Sequence, residues 1–118
     1  EFLKTQPSVL KDLRTSISKD VLHEVQEAMK DTVDMPYGTA YLLHDIPMSI
    51  AAKSGTAQVQ NNRKTNAFFV GYAPADNPRI AILILIEDSL EGSLNATPVA
   101  RDVLLWYYNN RLKGSTSP

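Results

Sequence analysis

Four consecutive residues, Lys53-Ser54-Gly55-Thr56, combine a cation, two hydroxyls and a glycine within a largely apolar stretch. In an extended strand, side chains two positions apart lie on the same face, so the hydroxyls of Ser54 and Thr56 point one way and Lys53 points the other. Gly55 has no side chain, which lets another backbone come close. A strand at a sheet edge also offers unpaired backbone groups to an extended peptide. The four residues predict a peptide-binding strand edge, although they would also suit a strand end with a bulge.

The first regular element is a helix that begins after Ser18 and ends before Pro36. Serine is a preferred N-cap residue, because its hydroxyl accepts a bond from a free backbone N–H. Apolar residues then recur at helical spacing and form one stripe: Val21, Leu22, Val25, Ala28, Met29 and Val33. Pro36 cannot continue the helical hydrogen bonds and Gly38 permits a tight bend, so the helix is expected to stop there.

Three strands are expected after this helix, over residues 48–59, 67–73 and 80–86. The second is rich in aromatic and β-branched residues, which favour strands. The third is apolar at every position, as in a strand that is covered on both faces. Turn-forming residues fill the two short connections, NNRK and PADNP. Since short connections join antiparallel neighbours, the sequence predicts a three-stranded antiparallel meander.

A second helix is expected from Thr97-Pro98, with Thr97 as its cap and proline in the first helical position. Trp106 is expected in the core or in contact with another subdomain. The apolar face of this helix is assigned to Val99, Val103, Leu104, Tyr107 and Tyr108. The order of elements predicts an α+β fold, in which an N-terminal and a C-terminal helix pack on the sheet. We assign residues 1–17 to an irregular lead or an artificial junction, 18–113 to one folded unit, and 114–118 to a disordered tail.

Composition excludes several classes of function. The formal net charge of −1 gives no field that would attract nucleic acid, so no nucleic-acid partner is expected. The chain has no cysteine and two separated histidines, so neither a metal site nor another cofactor is expected. His44-Asp45 is interpreted as a surface turn. The longest apolar run is shorter than the roughly 20 residues that span a bilayer, so this chain is expected to be soluble.

The stretch around the four residues resembles a known family. Serine acyl-enzymes that act on penicillins and D-Ala-D-Ala peptides share the motifs S-x-x-K, S-x-N and K-[ST]-G, and residues 53–55 match the third. The longer run IAAKSGTAQV, followed by NAFFVGYAPADNPRIAILILIED, resembles the end of class B penicillin-binding proteins, especially the rod-elongation branch. Residues 37–40 (YGTA) and 96–100 (ATPVA) also look like family features. The resemblance covers about residues 18–112 and identifies the chain as the C-terminal part of a transpeptidase domain.

This resemblance implies a fragment of the penicillin-binding/serine β-lactamase-like fold and a role for each motif residue. The hydroxyls of Ser54 and Thr56 would bind the terminal carboxylate of the substrate, and the backbone N–H of Thr56 would be an oxyanion-hole donor. Lys53 would point to the interior and hold the site together electrostatically. Gly55, Ala57 and Gln58 would contact the substrate.

The nucleophile that such an enzyme needs is not expected in this chain. Two segments match S-x-x-K, residues 8–11 and 16–19, but the family places its serine on a buried helix far before the K-S-G strand. Ser93-Leu94-Asn95 matches S-x-N but comes after the third motif, and is interpreted as a polar lead into the last helix. The chain alone is therefore expected to be inactive.

For the parent protein, the resemblance implies a peptidoglycan D,D-transpeptidase that cross-links stem peptides through an acyl-serine and is inhibited by β-lactams. Expected partners are the rest of the transpeptidase domain, possibly as a second chain, a glycan polymerase and a cell-shape scaffold protein. The parent would be anchored at the periplasmic face of the cytoplasmic membrane. Two alternatives stay open: a serine β-lactamase, and a non-catalytic module that uses this fold to bind other proteins.

Overall fold

The computed structural model describes residues 8–13 and 15–114. Five main elements follow one another along the chain: α1 (Lys19–Asp34), β1 (Ala51–Val59), β2 (Lys64–Ala73), β3 (Ile80–Ile86) and α2 (Thr97–Tyr107). A 3-10 turn at Tyr41–Leu43 precedes β1, and π-helical turns at Gly92–Ala96 and Tyr108–Leu112 flank α2. This order confirms the α+β prediction. Most of the expected tail, residues 115–118, and part of the expected lead lie outside the described residues.

Helix α1 begins as predicted, and Val33 is its buried residue. The hydroxyl of Ser18 accepts a hydrogen bond from the Val21 backbone N–H at 3.3 Å, which confirms the N-cap. Val33 is the buried residue of the stripe, whereas Val21 and Val25 near the start of the helix are exposed. The apolar stripe is therefore present in the sequence of α1, but within the described residues its first turns are exposed.

The three strands form one antiparallel sheet in the order β1-β2-β3, which confirms the meander. Ser54 lies opposite Phe69, and Phe69 lies opposite Ile84. The bounds of β3 match the prediction, and the described residues cover one of its two faces. Leu83 and Leu85 are exposed, because β3 is an edge strand and these side chains point away from the helices packed on the other face.

Helix α2 differs from its prediction in its start and in its buried face. Thr97 is not a cap: it lies inside the helix, and its buried hydroxyl donates to the Gly92 carbonyl at 3.2 Å. Because the helix continues directly from a π-helical turn, its buried positions are Thr97, Ala100 and Leu104, while the predicted Val99 and Val103 are exposed. Trp106 is exposed as well, with the Arg111 guanidinium 6.0 Å from its ring centroid.

The core lies between one face of the sheet and the helices. Phe69 at its centre is fully buried, together with Val33 from α1 and Leu104 from α2. The loop before β1 is tied to α2 by Arg101, whose guanidinium donates to both carboxylate oxygens of Asp45 at 2.6 and 2.9 Å. The core and this ion pair fix β1 relative to both helices, with the predicted surface turn at Asp45 as the contact point.

Candidate functional site

The motif strand β1 is one edge of the sheet that the described residues form. On this edge the Thr32 hydroxyl of α1 donates to the Ala52 carbonyl at 2.7 Å, so the Ala52 carbonyl points away from β2. In an antiparallel strand, the N–H and C=O of one residue point to the same side, and residues two apart share that side. The backbone groups of Ser54 and Thr56 therefore also point away from β2. This is the direction from which an extended peptide could pair with β1.

The two motif hydroxyls project from the sheet face that carries Phe69 and Ala67, their partners across β2. Ser54 is 8% exposed, and its hydroxyl donates to the Thr39 hydroxyl at 2.8 Å. Thr56 is exposed, and its hydroxyl accepts from the Gly92 backbone N–H at 3.3 Å. Because a hydroxyl has one hydrogen to donate, this acceptor role leaves the Thr56 hydrogen for a ligand. Both hydroxyls are thus held by residues outside the motif.

Within the described residues Lys53 is exposed, and its position in the interior of a complete domain stays a prediction. Alternation places Lys53 on the face opposite Phe69, and that face is not covered at this position by the described residues, so the side chain is exposed. Its ammonium bends back along the edge and donates to the Ser54 carbonyl at 2.5 Å. The ammonium charge therefore lies next to the backbone of the motif.

Two glycines near the motif have opposite surroundings. A Cβ added to Gly55 would meet the Phe68 Cβ at 3.5 Å, an ordinary contact, so nothing in the described chain demands glycine there. A Cβ on Gly92 would lie 2.5 Å from the carbonyl oxygens of both Gly55 and Phe68, which no real structure tolerates. Gly92 is therefore needed to place the π-helical turn on the strand backbone at Gly55, whereas a side chain at Gly55, on the opposite face, would meet no close contact within the described residues.

Ala57 and Gln58 continue β1 beyond the motif. Ala57 is half-buried opposite Asn66, and Gln58 is exposed opposite Thr65. By the same alternation, the backbone of Gln58 points to the open edge and that of Ala57 pairs with β2. Their contact with a substrate stays a prediction.

A groove of about 360 Å³ runs beside the edge, between α1 and β1. Lys53 borders it from the strand, and Thr39, Gly38 and the exposed Tyr37 border it from the loop before the strand. Residues Ala28, Asp31 and Thr32 of α1 complete its lining. The groove brings the predicted Lys53 together with Thr39, which sequence reasoning did not assign to the site. The one available signal was the YGTA run, noted as a family feature without a role.

The segments that imitate the other family motifs lie where a nucleophile is not expected. Ser8 and Lys11 are exposed and outside any helix or strand, and Ser16 precedes the cap of α1. Ser93 and Asn95 belong to the π-helical turn that leads into α2, as predicted, and the Asn95 side chain accepts from the backbone N–H groups of residues 90 and 91. Within residues 8–13 and 15–114, no helix is long and apolar enough to cross a membrane.

Comparison with known proteins identifies the family to which this chain is similar. Residues 3–105 match the family described as the penicillin-binding protein transpeptidase domain. The chain is 40% identical over 82 residues to the peptidoglycan D,D-transpeptidase MrdA of Haemophilus influenzae, an alignment that covers 58% of this chain and 13% of that protein. The chain thus spans only a small part of the length of this curated relative.

Solved structures of penicillin-binding proteins are similar to this chain as well. Pseudomonas aeruginosa PBP2, crystallised in complex with WCK 5153, superposes with a TM-score of 0.67 at 35% identity, over 81% of this chain and 22% of that one. Helicobacter pylori PBP2, in its complex with MreC, gives a TM-score of 0.66 at 27% identity, over 80% and 18% of the two chains. With a matched family model over most of its length and the K-S-G-T strand at an open edge, the chain belongs to the penicillin-binding protein transpeptidase domains, in the class B, PBP2-type branch.

Proposed function

We propose that this chain is the part of a peptidoglycan D,D-transpeptidase that holds the substrate at the K-S-G-T strand. The single observation that carries the proposal is the open edge of β1, where the backbone groups of residues 54 and 56 point away from β2. At Gly55 a side chain would make only an ordinary contact, 3.5 Å from the Phe68 Cβ, so the described chain does not by itself require glycine at this position. An extended peptide can pair with such an edge as an added strand.

The reaction would proceed through a serine in the portion of the protein that this chain does not span. The serine oxygen attacks the carbonyl of the penultimate D-alanine of a stem peptide, forms an ester, and releases the terminal D-alanine. The amine of a second stem peptide then attacks the ester, forms the new amide and restores the serine. A β-lactam would be attacked in the same way and would leave a persistent acyl-serine.

The residues of this chain would bind and stabilise rather than attack. The Thr56 N–H, on the open edge, would donate to the oxyanion that develops on the attacked carbonyl, and the loss of one such donor costs on the order of 3 kcal/mol of barrier. The hydroxyls of Ser54 and Thr56 would hold the terminal carboxylate of the substrate. The Lys53 ammonium would add a positive potential at the same place, and Ala57 and Gln58 would extend the contact along the edge.

The proposed partners follow from this assignment. The rest of the transpeptidase domain must meet this chain at the groove to bring the serine to the strand. The H. pylori PBP2 complex with MreC supports a cell-shape scaffold partner, and a glycan polymerase would supply the strands to be cross-linked. The parent protein would be anchored in the cytoplasmic membrane with this domain on the periplasmic side.

Labelling of the full-length protein with a fluorescent penicillin tests the function. We expect a persistent label that excess unlabelled penicillin prevents, a strong loss of label in Lys53→Ala, and full label in Ser93→Ala, which alters the imitation motif. Absence of label in the wild-type protein would contradict an acyl-enzyme and favour a non-catalytic binding module. Rapid release of hydrolysed penicillin would instead indicate a β-lactamase.

A further inference from the structure

Asn95, the last residue of the segment that imitates S-x-N, binds the backbone of the connection between β3 and α2. Its side-chain oxygen accepts from the backbone N–H groups of Leu90 and Glu91, both at 3.1 Å. Its own backbone N–H donates to the Glu91 carbonyl at 3.0 Å. Because a backbone N–H can only donate, the acceptor in both side-chain contacts is the amide oxygen of Asn95. One residue thus closes a turn over residues 90–95 with three hydrogen bonds.

Hydrogen bonds rather than apolar packing hold this turn. Leu90 and Leu94 are 75% and 60% exposed, and Gly92 has no side chain. The Ser93 hydroxyl bonds the exposed Glu91 carboxylate at 2.8 Å, a contact within the turn itself. A segment that buries so little apolar area is held weakly by packing. The direction of the chain at residues 90–91 therefore depends on the Asn95 side chain.

The residue that follows this turn contacts the motif strand. The Gly92 N–H donates to the Thr56 hydroxyl at 3.3 Å. This N–H and the Glu91 carbonyl belong to one planar peptide unit, so whatever fixes the carbonyl also fixes the N–H. Asn95 holds both sides of Glu91, its N–H through the side chain and its carbonyl through the backbone, with Glu91 at φ −158° and ψ 162°. The direction of the Gly92 N–H toward Thr56 is thus set by Asn95.

We infer that Asn95 is a positioning residue of the transpeptidase site, which acts on Thr56 through the peptide unit of residues 91–92. The inference deepens the proposed function and rests on it. Asn95 has no contact with the substrate in this role and is not the S-x-N asparagine of the family. Without its side chain the peptide unit can rotate, and the Thr56 hydroxyl loses the N–H that holds it beside the substrate.

The first test measures the rate of acylation of the full-length protein by a fluorescent penicillin. In Asn95→Ala we expect a rate about five- to tenfold lower, which corresponds to the loss of about one net hydrogen bond. Asn95→Asp keeps an oxygen that accepts from both N–H groups and should react nearly as fast as the wild type. Ser93→Ala is the matched control, since it changes the same turn and leaves Asn95 in place. The melting temperature should change by only a few degrees, because the side-chain bonds of Asn95 are exposed.

The second test asks whether Asn95 acts through Thr56. Thr56→Val removes the hydroxyl that accepts from Gly92, so adding Asn95→Ala to it should slow acylation by about twofold at most. Thr56→Ser keeps the hydroxyl, and in that background Asn95→Ala should have its full effect. Incubation over hours makes the slow variants measurable. Hydrogen exchange of residues 88–92, followed by mass spectrometry, should be faster in Asn95→Ala and unchanged in Asn95→Asp.

A general structural role for Asn95 would give a different pattern. If Asn95→Ala slows acylation equally in the wild-type and Thr56→Val backgrounds, Asn95 does not act through Thr56 and the inference is wrong. An unchanged rate in Asn95→Ala, or an Asn95→Asp variant as slow as Asn95→Ala, would likewise overturn it. If the wild-type protein takes no label, the proposed function itself fails, and that result is separate from a slower rate in the variants.

Discussion

At the scale of single residues, hydrogen bonds from other parts of the chain hold the motif strand in a fixed conformation. Thr39 holds Ser54, the Gly92 N–H holds Thr56, and Thr32 holds the carbonyl of Ala52. Each contact comes from a residue outside the four motif positions. The three contacts fix the direction of groups that would otherwise rotate or fray at an edge, and fixed donors at a site cost no reorganisation when a ligand binds.

The Gly55→Ala variant tests whether a ligand comes close to the strand at this residue, because the substitution should affect ligand approach and leave folding unchanged. In the described chain the added methyl meets one ordinary contact, 3.5 Å from the Phe68 Cβ, and alanine is no worse than glycine inside a strand. We therefore expect the melting temperature of the full-length protein to stay nearly unchanged, while acylation by penicillin slows at least about tenfold because the ligand backbone can no longer come close. Differential scanning calorimetry and a labelling time course measure the two effects. A normal labelling rate in this variant would show that the space above Gly55 is not used.

Strand geometry correctly predicted how the motif residues are arranged along β1. Alternation along β1 placed Ser54 and Thr56 on one face and gave Gly55 an open position. It placed Lys53 on the opposite face, but alternation says only which side a residue takes and not whether that side is covered. Thr39 and Gly92 could not be assigned, since they lie 15 and 36 residues from their partners and meet them only through the fold.

At the scale of elements, the π-helical turn Gly92–Ala96 links the motif strand to α2. It lies on the backbone of β1 and β2 at Gly55 and Phe68, and it sets which face of α2 is buried. Sequence patterns located the helix but missed this turn, because a π turn shifts the apolar period that helix prediction relies on. The β3 strand was found to the residue, since seven consecutive apolar residues between turn signals leave few alternatives.

Gly92→Ala is the matched counterpart of Gly55→Ala. The added methyl would lie 2.5 Å from two carbonyl oxygens of the sheet, so the turn must move away from the strand. We expect a loss of stability of about 2 kcal/mol or more, seen as a melting temperature lower by roughly 5 °C or more. Labelling by penicillin should fall as well, because Thr56 loses the N–H that holds its hydroxyl. Equal stability of the two alanine variants would contradict the placement of the turn.

The ion pair between Asp45 and Arg101 joins the loop before β1 to α2 and gives stability a pH dependence. The hydrogen bonds and charge of Arg101 lower the pKa of Asp45 below its ordinary value. A carboxyl with a lower pKa in the folded state stabilises the fold above the pKa of the unfolded chain, about 4, and this contribution is lost as the pH falls through the folded-state pKa.

Asp45→Asn is therefore expected to lower the melting temperature at pH 7 and to make no difference at a pH well below the folded-state pKa, where Asp45 is protonated in both states. Thermal unfolding of the two proteins across this range gives the comparison. Arg101→Met removes the same pair from the other side and should lower the melting temperature at pH 7 as well. A difference between Asp45→Asn and the wild type that persists unchanged at low pH would mean that the ion pair is not its cause.

At the scale of the whole molecule, one face of the sheet is core and the other is an exposed apolar surface. Val70, Leu83 and Leu85 lie on this outer face, and Leu83 is 67% exposed. The backbone edge of β3 is also unpaired within the described residues. Exposed apolar edge strands promote association, and proteins normally cover them. Because the chain spans 22% of the matched PBP2 chain of P. aeruginosa, we expect the remaining part of the transpeptidase domain to cover this face.

Leu83→Lys in the full-length protein tests that cover directly. Within the described chain this side chain is already largely in water, so its replacement by lysine should cost almost nothing. If the remainder of the domain packs on it, lysine must instead be buried without a partner, and the melting temperature should fall by an amount that corresponds to about 2 kcal/mol or more. Leu83→Met keeps the apolar surface and should behave like the wild type. A Leu83→Lys protein that melts like the wild type would show that this face stays open in the complete protein, and the cover for β3 would then have to come from another molecule.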